Sequence, residues 1–260
     1  MKRLSQRLRP ARAFVLPFLI LLIWQLVQAR EVVPTNLLPT PVSVLETIGT
    51  LASTGELTEH LAITCWRVVQ GFLLGAAVAT LLGAITGVSR SARDLLDPLL
   101  QSLRNIPSLA WVPLFILWLG IYEPSKVALI ATGAFFPVYL SLAQGLLDVD
   151  RKLVEVGRMA GFDRFQLVRR ILIPAALPAY VTGLRGGLGL AWMFVVAAEV
   201  MGASKGLGFL LVDGQQTGRA ALILASILLF AVLGKLSDLL LCLLSSRFLQ
   251  WQDSHSLQPA

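Results

Sequence analysis

Apolar residues run through this 260-residue chain in six long blocks, roughly 13–28, 68–88, 95–120, 126–147, 177–200 and 221–244. A helix that crosses the hydrocarbon core of a bilayer needs about 20 such residues. The pattern therefore predicts an all-α, polytopic membrane protein with six transmembrane helices. The first block is short and follows a basic start, which also suits a signal peptide. No small-x-small cleavage site follows at 28–33, and Trp24 sits inside the block, so it reads as an uncleaved span.

Within the blocks the small residues are ordered. Gly71, Gly75, Ala79 and Gly83 recur at every fourth position of the second, and Gly183, Gly187 and Ala191 do so in the fifth. That spacing puts them on one helix face and permits close packing in a membrane. Prolines interrupt others: Pro107 and Pro113 in the third, Pro137 in the fourth. Pro-interrupted spans point to a translocation region, or else to a kink alone. The longest polar connection, 30–64, contains Val33-Pro34, Leu38-Pro39 and Thr40-Pro41, which favour extended or turn backbone. Ser43 with Glu46 three residues on resembles a capping box. There is no repeat, low-complexity tract or soluble linker, so the chain reads as one membrane domain.

Composition agrees. Hydrophobic residues are 56% and charged residues 14% of the chain, with a mean hydropathy of +0.74. A soluble domain carries about 25% charged residues. The net charge of +7 would suit nucleic-acid binding, but the basic residues lie in a few short connections. With a cytoplasmic N-terminus, fourteen Lys and Arg fall in inner segments and five (Arg30, Arg67, Lys126, Lys205, Arg219) in outer ones. The positive-inside bias thus places both termini and the segment around Glu155 in the cytoplasm, with no nucleic-acid partner.

The chain offers little for bond-making chemistry. His60 and His255 fall on opposite sides of the membrane, which excludes a Ser–His pair within it and the usual zinc or haem ligand sets. Cys65 and Cys242 lie a bilayer apart, too far for a disulfide. Gly234-Lys235 lacks the other residues of a phosphate loop. No catalytic residue, metal or cofactor is expected, and ATP-driven work would need another chain. An intramembrane enzyme would need paired catalytic groups at one depth. Arg104, Arg185 and Glu199 are the ionisable residues nearest to or within spans. Such residues face a protein interior or cavity, and with Pro107 and Pro113 they are the candidates for a translocation path. The competing reading is that Arg104 and Arg185 lie near the cytoplasmic ends and snorkel.

Between Asp150 and Ile171 apolar and charged residues mix at helical spacing. Val154, Val156 and Met159 would line one short helix, and Phe165, Val168 and Leu172 a second. Gly161 suits the turn between them, and Pro174 marks departure into the next span. The order is Glu155-Val156-Gly157, three residues, Gly161, nine residues, Ile171-Leu172-Ile173-Pro174. It resembles the EAA signature of permease subunits of binding-protein-dependent ABC importers: E-A-A, three residues, G, nine residues, I-x-L-P. Glu155, Gly161, Ile171 and Pro174 match in register; Val156, Gly157 and Ile173 depart from Ala, Ala and Leu.

The likeness extends along the chain. Leu103-Arg104-Asn105-Ile106-Pro107, Trp111-Val112-Pro113-Leu114, Thr182-Gly183-Leu184-Arg185, Ala203-Ser204-Lys205-Gly206-Leu207-Gly208 and Leu233-Gly234-Lys235-Leu236 with Asp238 are similar to the sulfonate/taurine/nitrate branch of these permeases, nearest to aliphatic sulfonate importers. The resemblance implies the six-span, type I importer (MetI-like) fold and a non-enzymatic subunit. It implies a cytoplasmic segment at 1–12, a permease domain at 13–247 with a coupling loop at about 150–174, and a cytoplasmic tail at 248–260. It also implies a homodimer in the bacterial inner membrane, served by two copies of a cytoplasmic ATPase and by a periplasmic binding protein that carries most of the selectivity. Taurine or nitrate import, or an ATP-independent carrier or channel, are the alternatives.

Overall fold

A computed structural model describes residues 9–30 and 33–247. The tail at 248–260 and most of the segment at 1–12 lie outside the described residues. Among the described residues all regular structure is helical: α1 (Arg9–Ala29), α2 (Pro41–Ser53), α3 (Glu56–Val88), α4 (Arg90–Arg104), a 3-10 turn (Ser108–Trp111), α5 (Val112–Leu119), α6 (Glu123–Leu147), α7 (Arg151–Met159), α8 (Arg164–Leu167), a π turn (Val168–Leu172), α9 (Ile173–Val200), α10 (Leu207–Gln216) and α11 (Ala220–Ser246).

Small residues set the arrangement. Lipid tails are as apolar as leucine side chains, so membrane helices associate by close fit rather than by escape from water. The stripe on α3 faces α6: a methyl at Gly71 would come within 2.5 Å of Ile130 Cβ, and one at Gly75 would collide with the Ala131 carbonyl. Gly83 sits against Tyr139 and Leu142, and Gly87, one turn beyond the expected stripe, against Leu146. The numbers rise together, so α3 and α6 run parallel. On the other side of α6, Gly183 meets Ser141 and Pro137, and Gly187 meets Ala134 and Val138. There the numbers run oppositely, so α9 is antiparallel to α6. Buried Val68, Leu129, Ile130, Ala191 and Phe194 fill the space among the three.

Because α3 and α6 are parallel, the chain between them must recross the bundle. It does so in two pieces. The expected third span, 95–120, is not one helix: α4 and the 109–119 segment meet at 87°. Pro107 caps the 3-10 turn and Pro113 sits in the first turn of α5, both positions where a missing N–H costs no helical bond. Arg93 donates to the carbonyls of Thr86 (3.0 Å) and Gly87 (3.2 Å), closing the end of α3.

Four described helices are individually long and apolar enough to cross a membrane, and the bent pair α4–α5 passes the same test when its two parts are taken together. The apolar part of α1, Val15–Ala29, is shorter than these, so the expected first span is the one that falls below the crossing length. It touches the rest through Trp24, which donates to Pro39 O (2.9 Å), and Gln28, which donates to Leu38 O. Exposed Trp66, Trp118 and Tyr122 lie near the start of α6, where interfacial aromatics would sit.

Three expected boundaries move. α3 begins at Glu56, well before residue 68, and takes Arg67 inside the helix. α2 begins at Pro41 with Thr40 as its cap, which accepts the Ser43 N–H (3.1 Å); Ser43 is capped rather than capping. At Pro174 the chain does not leave the helix. Arg164–Val200 runs on as one 37-residue unit through the π turn, in which Ile173 N–H bonds Val168 O. A proline ring clashes with the carbonyl four residues back. The wider turn makes room for it.

Candidate functional site

Two polar assemblies occupy opposite ends of the α3–α6–α9 core. The first is the segment between α6 and α9. Asp150 caps α7 by accepting the Lys152 N–H (2.9 Å). α7 ends in a Schellman motif: Gly161 N–H bonds Arg158 O (2.9 Å) and Phe162 N–H bonds Gly157 O (3.0 Å), with Gly161 at φ +80°. This is the left-handed position that favours glycine. Asp163 and Gln166 then form a reciprocal capping box that opens α8. Each local signal agrees, so the helix–turn–helix is specified by sequence alone.

Gly157 is the hinge point of its packing. A methyl there would collide with Ile171 Cδ1 and lie 2.7 Å from Leu167 Cδ2. Glycine at 157 thus permits this close crossing of α7 over the π turn. Ile171 is therefore a packing residue. Glu155 is exposed and has no partner within bonding distance among the described residues. Around it, Leu153, Val156, Met159 and Phe165 are 49%, 63%, 88% and 70% exposed. The expected face of Val156 and Met159 is lined as anticipated, but it points away from the bundle. Four large apolar side chains among Arg151, Lys152, Arg158 and Arg164, beyond the ends of the spans, form a surface that a protein partner would cover.

The second assembly closes the other end. Glu199 is 1% exposed. Its carboxylate accepts from Thr64 Oγ1 (2.8 Å), Arg67 Nη1 (2.8 Å) and the Gly208 N–H (2.8 Å). Arg67, 3% exposed, also forks onto Glu123 through Nε (2.7 Å) and Nη2 (2.6 Å) and donates to Lys205 O (2.7 Å). Lys126 Nζ donates to Glu123 (3.1 Å), and Lys205 pairs with Glu59. The loop leaving α9 is pinned along its length: Gly206 N–H donates to His60 Nδ1 (2.9 Å) and Leu207 N–H to Thr64 Oγ1 (2.9 Å). Gly206, at φ +120°, lies so close that a side chain would strike the Glu199 carboxylate. Buried charges persist when paired and hydrogen-bonded, and here every one is.

The path candidates are dispersed. Glu199 belongs to the closed end. Arg104 is the last residue of α4, at the break before α5, and Arg185 lies in the middle of α9. Leu103 lines the same cavity as Leu74, Gly75 and Val78 of α3, and Arg104 follows it at the end of α4. Arg185 lies between Gly183 and Gly187, level with Pro137 of α6. It pairs with Asp238 of α11 through Nε (2.8 Å) and Nη2 (3.0 Å). Arg104 is exposed, as are Pro107 and Pro113 at the break. Arg67, Glu123, Thr64 and Asp238 were not anticipated. The available signal was an arginine, Arg67, directly before an apolar block.

Apolar helices joined through small residues carry an exposed apolar and basic surface at one end and a paired charge cluster around buried Glu199 and Arg67 at the other. The chain belongs to the family of binding-protein-dependent transport system inner membrane components, which it matches over residues 73–250. It is 43% identical over 244 residues to the aliphatic sulfonates transport permease protein SsuC of Bacillus subtilis (strain 168), covering 94% of this chain and 88% of that one. To the protein of the same name from Escherichia coli (strain K12) it is 39% identical over 245 residues, covering 94% and 93%. Its fold is similar to a chain of the MetNI methionine ABC transporter in inward-facing conformations, with a TM-score of 0.62 at 20% identity over 71% of this chain and 92% of that one.

Proposed function

We propose that this chain is the permease subunit of an ATP-driven importer of aliphatic sulfonates. The observation that carries the ATP-driven reading is the exposed α7–Gly161–α8 motif. A carrier or channel working alone has no use for an apolar, charge-rimmed surface beyond its spans. Glu155 and Gly161 serve coupling on this reading, one as an exposed contact and one as the turn. Ile171 and Pro174 hold the motif on α9. The region 150–174 seats on a cytoplasmic ATPase subunit, two copies serving two copies of this chain, and a periplasmic binding protein delivers substrate to the Glu199 end. ATPase closure would then switch the path from inward-facing to outward-facing. The likeness to sulfonate permeases along nearly the whole chain supports the substrate class.

Orientation follows the same frame: both termini, the 1–12 and 248–260 segments and the coupling loop cytoplasmic, in a permease domain at 13–247. Two of the five basic residues counted as outer, Arg67 and Lys126, are buried in ion pairs, which sharpens the asymmetry of free charge.

Growth with an alkanesulfonate as sole sulfur source, with and without the chain, tests the substrate. Growth should fail without it and return when it is supplied with its ATPase. Uptake that persists without any ATPase would establish a carrier or channel instead. Loss confined to taurine or nitrate use would move the substrate within the branch. Reporter fusions at Gly55 and Lys205 should report the periplasm and one at Phe162 the cytoplasm; the reverse would overturn the orientation.

A further inference from the structure

We propose that Arg185, with Asp238 as its resident counter-ion, is a mid-membrane station for the anionic head group of the substrate on an aqueous face formed by α9 and α11. The proposal rests on the importer reading and adds a site to it.

Depth comes first. Arg185 is level with Pro137, half-way along α6. An ionised pair at that depth cannot face lipid; such residues look into a protein interior or a water-filled cavity. Yet within the protomer the Arg185 side chain is 46% and the Asp238 side chain 30% exposed. Lys235, one turn from Asp238, is exposed as well. This face is therefore covered by something polar.

Charge decides what kind. The three groups comprise two cations and one carboxylate, so the face carries a surplus positive charge suited to a monoanion. A guanidinium has five N–H donors in a planar fork, and Asp238 engages Nε and Nη2. The remaining donors are available to an oxyanion. A sulfonate, permanently charged with three oxygens, fits them. The surface around Arg185 is also open: Thr182 and Gly189, one helical turn to either side, are exposed, and nothing lies within 4 Å of where a Gly189 side chain would begin.

The competing role is a tether holding α11 to α9. That seam already has a neutral one. Trp192 Nε1 donates to Ser237 Oγ (2.7 Å), and a methyl at Gly234 would lie 3.7 Å from the same indole. Replacing an ion pair by neutral groups is often no loss of stability, so packing alone does not call for charges here.

The test uses the complete importer, this chain with its ATPase and binding protein, in proteoliposomes with ethanesulfonate as probe. Arg185→Gln should lower ATP-driven uptake about tenfold or more while the ATPase still co-purifies. Arg185→Lys should recover part of it, and Asp238→Asn should cost less than Arg185→Gln. The double variant Arg185→Gln/Asp238→Asn should be no better than Arg185→Gln. Equal losses in the two single variants with recovery in the double would establish a tether and overturn the proposal. The order of preference among sulfonates should not change, since the site reads charge. A second measurement stands apart from transport. With Cys65 and Cys242 replaced by serine, Thr182→Cys should react faster with an anionic sulfonatoethyl methanethiosulfonate than with its cationic trimethylammonium analogue, and Arg185→Gln should erase the difference. No reaction with either, with or without ATP, would show that the face is not aqueous and overturn the proposal. If the unaltered importer takes up no ethanesulfonate, the substrate reading fails, while the labelling still judges the face.

Discussion

At the Glu199 end, charges from α3, α6 and α9 turn inward on one another and glycines press the loop after α9 against them. At the Glu155 end, the charges of α7 and α8 turn outward and leave Met159 and Phe165 standing among them. Both ends are polar, both contain a positive-φ glycine in a turn, and both are tightly specified. They differ in what their polar groups are bonded to. A cluster satisfied within the chain stabilises the chain. A cluster with unsatisfied, exposed apolar and charged groups has its partner elsewhere. Substitutions at the two ends should therefore separate stability from assembly.

The largest effect should follow from Glu199→Ala. It leaves Arg67 buried with one of its two carboxylates, and removing one partner of a buried pair costs about 3–5 kcal/mol. Thermal unfolding in detergent should show a marked loss for Glu199→Ala and for Arg67→Leu alike. An unchanged midpoint would break the comparison at once. A smaller contrast uses the two turn glycines. Gly206→Ala meets both strained backbone and the Glu199 carboxylate, and strain of this kind costs about 1–3 kcal/mol. Gly161, at φ +80°, has nothing within 4 Å of a new methyl, so Gly161→Ala should cost only the left-handed backbone term, about 1–2 kcal/mol. The same unfolding assay should rank them in that order. The smallest stability effect belongs to Met159→Ser with Phe165→Ser, within about 0.5 kcal/mol, although ATPase co-purification should fall. A loss of stability there would mean that the surface packs against this chain itself.

The two ends also differ in how far the sequence discloses them. The α7–α8 motif is local: Asp150, Gly161, Asp163 and Gln166 act on backbone within a few residues, so spacing alone reveals it. The α3–α6 contact is legible because small residues recur at helical period, and only its last member, Gly87, escapes notice. The charge cluster joins Arg67 to Glu123 and Glu199 across 56 and 132 residues. A rule that counts charges along the chain sets Arg67 outside the membrane, since nothing local shows that it is neutralised. Arg104 and Arg185 stay between two readings in the sequence for a related reason. Their depth depends on the break between α4 and α5 and on the register of α9 against α6, neither of which an apolar block records. The prolines at 107 and 113 signalled an interruption, but not that the interruption turns the chain by 87°.

The central claim is that the Glu155 end seats an ATPase subunit, and one co-purification tests it most directly. The chain carrying Glu155→Lys, expressed with its ATPase, should insert and unfold like the unaltered chain, because Glu155 is exposed and bonded to nothing among the described residues. It should retain markedly less ATPase. Full retention of the ATPase, with uptake at the normal rate, would contradict the account.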